Sequence, residues 1–217
     1  MRLVSACYPY FHPFDNLVNI TEFASAEFPS ELQLGDVLVV WGGADIWPGY
    51  YNKELSRMSH ADTTPSRRDT IEWDLMQRAV ELRVPIIGVC RGAQMLCALA
   101  GGYLMQHITG HSGTHLVHTS EGADILVNSI HHQMMVPAHT NHTILAGVPT
   151  HSLRSKEYWD EDRKVDHNQE PEFIIFNDVN GYAIQWHPEM MPETSPANQY
   201  VLRTLNEQIA ARTPSNV

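Results

Sequence analysis

The sequence predicts an α/β protein: a mostly parallel central sheet flanked by helices, with a small antiparallel excursion. Three observations carry this expectation. Strand-like apolar runs alternate with helix-like amphipathic stretches along the chain. Two of the runs, DVLVVW and PIIGV, are apolar almost throughout, as strands covered by helices on both faces are. The 217 residues suit one domain and not two full ones, so a single unit over 1–217 is expected.

Taken in order, Arg2 to Cys7 reads as the first strand and Asp36 to Trp41 as the second. The segment RRDTIEWDLMQRAVELR spaces Ile71, Leu75, Ala79 and Leu82 three or four apart with charges between, which predicts an amphipathic helix. Pro85 to Val89 forms a third buried strand running straight into CRGAQMLCALAGG, a small-residue helix ended by Gly101 and Gly102. From Tyr103 to about Thr143 the pattern weakens into short strands and loops able to carry binding groups. PEFIIFN and GYAIQW, separated by DVNG, predict a hairpin turning at Asn180 and Gly181. KEYWDEDRKVDHNQE, the most charged stretch, reads as a solvated loop. Ser195 and Pro196 form an N-cap and first-turn pair for a last helix to about Arg212, followed by a frayed TPSNV tail.

The 14 Lys and Arg against 25 Asp and Glu give a net charge of −11, with no basic stripe to neutralise phosphates. Nucleic acid and anionic membrane are therefore not expected partners. Three cysteines, Cys7, Cys90 and Cys97, cannot all pair and fit no disulfide or zinc-ribbon spacing. Together with the lack of a leader-like or membrane-spanning apolar run, this predicts a cytoplasmic protein.

The strongest local signal is Gly88-Val89-Cys90-Arg91-Gly92, where a buried strand turns into a helix. A helix N-terminus stabilises a thiolate, and the Arg91 amide points toward an oxyanion forming beside the sulfur. A structural cysteine in a tight turn is the competing reading. A nucleophilic thiol needs a base, and Gln185-Trp186-His187-Pro188-Glu189 offers one: Pro188 biases His187 toward extended backbone. Residues i and i+2 of an extended chain share a side, so the Glu189 carboxylate can orient the His187 imidazole. Trp41-Gly42-Gly43, directly after the second strand, is either a plain tight turn or the source of a second oxyanion donor.

These segments resemble the class I glutamine amidotransferase superfamily, and within it the γ-glutamyl hydrolase branch that includes γ-glutamyl-γ-aminobutyrate hydrolase. The resemblance rests on GGADIWPGYY, on RRDTIEWDLMQRAVELRVPIIGVCRGAQMLCALAGGYLMQHI, on VNSIHHQ and on QWHPE, in the family's order. It implies a flavodoxin-like sheet and a Cys-His-Glu triad of Cys90, His187 and Glu189, working through a γ-glutamyl thioester that water resolves. It further implies an oxyanion hole from the amides of Gly43 and Arg91, and substrate contacts from Gln94, His132 and Gln133. No cofactor is implied. The chain is short between Asp124 and Phe173, and Tyr8-Pro9-Tyr10-Phe11-His12 departs from the first loop of such hydrolases, so the leaving amine stays open.

The expected activity is hydrolysis of a small γ-glutamyl amide to glutamate and an amine. The alternative within the superfamily is a glutaminase subunit that hands ammonia to a separately encoded synthetase or ligase; a silent binding module is the alternative outside enzymology. An α/β-hydrolase with cysteine for serine is disfavoured, because there the acid precedes the histidine. The run His107, His111, His115, His118 has helical spacing, but Gly110 and Gly113 interrupt any helix. Surface or pocket-lining histidines, and no metal, are expected there.

Overall fold

The computed structural model describes residues 1–212; the TPSNV tail lies outside the described residues. In chain order the strands are β1 (Arg2–Ala6), β2 (Glu22–Ala26), β3 (Asp36–Val40), β4 (Ile86–Val89), β5 (Tyr103–Met105), β6 (His107–Ile108), β7 (Ser112–Thr119), β8 (Asp124–Ile130), β9 (Met134–Val136), β10 (His142–Val148), β11 (Tyr158–Asp160), β12 (Arg163–Val165), β13 (Glu170–Phe176) and β14 (Gly181–Ile184). The helices are α1 (Arg67–Leu82), α2 (Arg91–Leu99) and α3 (Pro196–Arg212). Nine strands form the main sheet in the order β2-β1-β3-β4-β14-β13-β10-β7-β8. The pairs β1–β2, β1–β3, β3–β4 and β4–β14 are parallel, and the remaining four pairs, from β14 out to β8, are antiparallel. The α/β expectation, with its antiparallel excursion, holds.

Alternation along each strand explains the layers. Val37 and Val39 face one side of β3, packing with Ile87 and Val89 against Val201, Leu205 and Ile209 of α3. Leu38 and Val40 face the other, packing with Leu75, Met76 and Ala79 of α1 and Met95 and Leu96 of α2. Helix α1 starts where Ser66 accepts from the Asp69 amide while the Asp69 carboxylate accepts from the Ser66 amide, a reciprocal cap. Ser195 caps α3 by accepting from the Asn198 amide.

Three expectations need correction. The strand at Asp36 is the third, because Glu22–Ala26 adds an edge strand beside β1; its mostly exposed residues give little apolar signal. The charged stretch is not merely a solvated loop: it folds into the β11–β12 hairpin, with Tyr158 buried. Its acidic residues clamp the 53–57 segment through Lys53–Asp160 (2.8 Å) and Arg57–Asp162 (2.9 Å). Finally, His111 and His115 are neither surface nor cleft residues, being 3% and 4% exposed in the interior. Strand geometry explains this: β7 alternates, so His115 points inward while His118 points out, and His111 enters the interior just before the strand begins.

Candidate active site

The carboxyl ends of three neighbouring parallel strands converge, the place where open α/β sheets carry their ligands. Strand β3 delivers Trp41-Gly42-Gly43, β4 delivers Cys90, and β14 delivers His187. Ile184 pairs with Val89, so the register brings the residues that follow the two strands side by side.

Cys90 lies between β4 and α2 with φ 50° and ψ −106°, a conformation that costs a residue with a Cβ and persists only when its surroundings enforce it. The enforcement is visible. Cys90 N donates to Ile184 O at 2.7 Å, and Cys90 O accepts from Gln94 N at 3.0 Å. The flanking glycines allow the closure: a Cβ on Gly88 would stand 2.5 Å from Gly92 O, and one on Gly92 only 2.0 Å from Val40 O. As first residue of α2, Arg91 has an N–H without an acceptor inside the helix.

His187 Nδ1 lies 2.7 Å from Glu189 Oε1, and Gly42 stands beside both the His187 ring and the Cys90 side chain. Burial opposes a charged ring, but the hydrogen bonds and charges of Cys90 and Glu189 outweigh it and raise the His187 pKa to about 10. A Cβ on Gly42 would meet His187 Cε1 at 2.6 Å, so the loop after β3 rides directly over this ring.

That loop is held from behind. Arg68 Nη2 donates to the carbonyls of Trp41 and Gly42, both at 3.0 Å, while its Nε is fixed by Glu72 Oε1 at 2.8 Å. In a trans peptide the C=O and the following N–H point opposite ways. Drawing the Gly42 carbonyl toward Arg68 therefore turns the Gly43 N–H away from it. The Arg91 guanidinium is buried between Asp69 and Glu72, tying the start of α2 to α1.

The expected substrate contacts are placed as follows. Gln94 is buried, with Nε2 donating to Gln133 O (3.2 Å) and Gln185 Oε1 (3.4 Å). His132 Nε2 faces Asp45 Oδ1 at 3.0 Å, linking the middle segment to the loop after β3. Gln133 is buried and donates to Ser59 Oγ and Gln106 O. An open cleft of about 290 Å³, lined by Tyr8, Tyr10, Trp41, Gly42, His187, Glu189 and Met190, reaches the ring from the outside.

Two positioning residues escaped the sequence reading. Asn128, on β8, receives the His187 N–H on Oδ1 and donates from Nδ2 to the His187 carbonyl, each at 2.8 Å. Asn198, on α3, donates to the carbonyls of Pro188, Met191 and Pro192. Asn128 sits inside VNSIHHQ, so its segment was legible and its role was not: nothing local shows that β8 crosses to His187. Arg68 and Glu72 were visible only as charges on α1.

Comparison with known proteins finds likeness in sequence and in fold. The family model Peptidase C26 matches residues 22–123. The glutamine amidotransferase-like protein YvdE of Lactococcus lactis is 28% identical over 203 residues, 84% of this chain and 74% of that protein. A Mycobacterium tuberculosis protein described as a glutamine amidotransferase is 34% identical over 166 residues, 70% of this chain but only 50% of its own length. Among solved structures, a glutamine amidotransferase from Thermotoga maritima superposes with TM-score 0.58 at 15% identity, covering 98% of this chain and 97% of its own. The glutaminase domain of Trypanosoma brucei CTPS superposes with TM-score 0.55 at 14% identity, covering 99% and 95%. Both establish likeness of fold. The chain is similar in sequence to proteins described as glutamine amidotransferases and, over residues 22–123, to the Peptidase C26 family. Among the described residues, no helix is long and apolar enough to cross a membrane.

Proposed function

We propose that this protein is a cysteine-dependent glutaminase of the amidotransferase type, cleaving the γ-amide of glutamine and supplying ammonia to a separately encoded synthetase or ligase. The observation that supports this chemistry is the grouping of Cys90 and His187 at neighbouring strand ends around Gly42, with His187 Nδ1 2.7 Å from Glu189 Oε1. The ammonia-supplying role is favoured by the amidotransferase descriptions of the relatives and the glutaminase domain among the structural neighbours.

In this reading the Cys90 sulfur attacks the amide carbon and the carbonyl oxygen becomes an oxyanion, accepting from the amides of Gly43 and Arg91. His187 gives its proton to the departing nitrogen as the C–N bond breaks, leaving a γ-glutamyl thioester. Water then attacks the thioester and gives His187 a proton; the C–S bond breaks, releasing glutamate and restoring the sulfur. Gln94, His132 and Gln133 line the glutamyl side as positioning or contact groups.

A second reading has specific support. The cleft beside His187 is open and walled by Tyr8, Tyr10 and Trp41, and the matching model is Peptidase C26. Both suit a self-contained hydrolase of larger γ-glutamyl amides, whose amine would leave along the aromatic walls. Glutamate release by the purified protein from glutamine, γ-glutamyl-aminobutyrate, γ-glutamyl polyamines and γ-glutamyl peptides separates the two. Slow turnover of glutamine alone supports the ammonia-supplying role; rapid turnover of a larger amide with glutamine untouched overturns it in favour of the hydrolase.

A further inference from the structure

A second cluster of reactive side chains lies in the interior, on residues the chemistry above leaves unused. His111 and His115, from the start of the β7–β8 hairpin, His131 from its end, and Glu172 from β13 converge with side chains at most 2% exposed. Three ring nitrogens surround one carboxylate oxygen: His111 Nδ1 and His115 Nε2 stand 3.3 Å from Glu172 Oε1, and His131 Nε2 stands 3.4 Å from it. Ligand atoms of His111, His115 and Glu172 all lie within 4.8 Å of one another; His131 stands outside that group, and its Nε2 meets it at Glu172 Oε1.

These separations are long for hydrogen bonds, which run about 2.7–3.2 Å for nitrogen and oxygen. Both nitrogens of His111 and of His115, the Nε2 of His131 and the Oε2 of Glu172 are buried without a hydrogen-bond partner. Leaving so many buried polar atoms unpaired forfeits the hydrogen bonds that repay their removal from water. The same separations suit neighbouring ligands of one ion: with zinc bonds of about 2.0–2.2 Å, the edge of a tetrahedron is about 3.3–3.6 Å.

The surroundings have the form of a metal site's outer shell. His131 Nδ1 faces Gln133 O at 2.8 Å, which fixes the tautomer with a lone pair on Nε2, toward the cluster. His111 Nε2 faces Glu170 Oε2 at 3.3 Å, leaving Nδ1 to face inward. Glu170 is itself anchored by the amides of Arg154 and Ser155 and by the Tyr158 hydroxyl. Among the described residues no Lys or Arg pairs with Glu170 or Glu172, so two buried carboxylates lack a fixed countercharge of the kind a dication provides. The site also has a structural role, since β7 is laddered to β10 only at Thr119 and His118 and its first half has no sheet bond to β10.

We propose that His111, His115 and Glu172, joined by His131 as the fourth donor once the ion is bound, hold a structural divalent transition-metal ion, zinc by the chemistry of the donors, which fastens the β7–β8 hairpin to β13. Three imidazoles and one carboxylate are the donor set of a borderline-soft ion, and the full burial suits a closed structural site rather than an open catalytic one.

The test is the metal content and cobalt spectrum of the wild-type protein, purified without chelators, then stripped and reloaded with zinc or cobalt alone. The expected result is one ion per chain, tetrahedral d–d absorption for the cobalt form, and a Tm that drops on chelation and recovers on reloading. His115→Gln and Glu172→Gln should lose at least nine-tenths of the bound metal, whereas Cys90→Ala and His60→Ala keep it; the second control separates this site from the more accessible Asp45, His60 and His132 group. Folded wild type that holds less than a tenth of an ion after zinc loading, with a chelator-insensitive Tm, overturns the proposal and leaves a protonated His–Glu network. Metal lost from Cys90→Ala or His60→Ala overturns it equally. Because the wild type alone decides the outcome, a misfolded variant does not obscure it.

Discussion

At Cys90 the backbone adopts φ 50° and ψ −106°, and at the neighbouring strand end Glu189 holds the His187 ring. With its pKa raised to about 10, His187 keeps its proton through neutral pH, and in the proposed reaction that proton goes to the departing amine. The alkaline limb of kcat/KM is therefore expected near pH 10, and Glu189→Gln should move it down toward the ordinary histidine range while lowering kcat by about 10²-fold; an unmoved limb would refute the assignment. Arg68 acts through the loop it holds. Arg68→Ala should lower kcat by about 10²-fold, the scale of a lost oxyanion donor, with KM little changed, and lysine should rescue poorly because one ammonium cannot reproduce the planar fork. Steady-state kinetics with glutamine or the best γ-glutamyl amide reads this split; a rise in KM alone would mean that Arg68 serves binding only.

The elements place these residues by register. The alternating faces of β3 and β4, the cysteine elbow and the β13–β14 hairpin were legible, because a strand buried on both faces and a Gly-x-Cys-x-Gly turn leave strong local patterns. Strand β2 and the β11–β12 hairpin were not: one is a largely exposed edge, and the other is fixed by ion pairs to a segment about a hundred residues distant. The same holds within the site, where Cys90, His187 and Glu189 stand in local motifs while Asn128 acts across a long connection. Gly92→Ala tests the closeness of α2 to β3. Its methyl would fall 2.0 Å from a backbone oxygen that cannot step aside, so a loss of about 1–3 kcal/mol is expected from the urea midpoint. Asn128→Ala removes two hydrogen bonds to the His187 backbone and should cost about 1–3 kcal/mol, with reduced kcat, against an unchanged m-value.

For the whole molecule, the mixed sheet divides the work. Its parallel half presents the reactive strand ends, and its antiparallel half supplies both Asn128 and the interior histidine cluster. Protonation of His187 couples this architecture to pH. Its folded pKa lies above the unfolded 6.5, so the stability it contributes is full below that value and is lost as pH rises toward about 10. Thermal unfolding of wild type and Glu189→Gln between about pH 6 and 10 should show the wild type losing its advantage over that window; a constant difference would contradict the coupling. The net charge of −11 accords with the proposed small-molecule substrate, whose oxyanion the proposal places on local backbone donors.

Glutamate release from glutamine and the γ-glutamyl amide panel, measured for the wild type and Cys90→Ala side by side, bears most directly on the central claim. The account predicts turnover by the wild type and a fall of more than about 10³-fold in the variant, with its fold intact by circular dichroism. Cys90→Ala turnover within about tenfold of the wild type would contradict it.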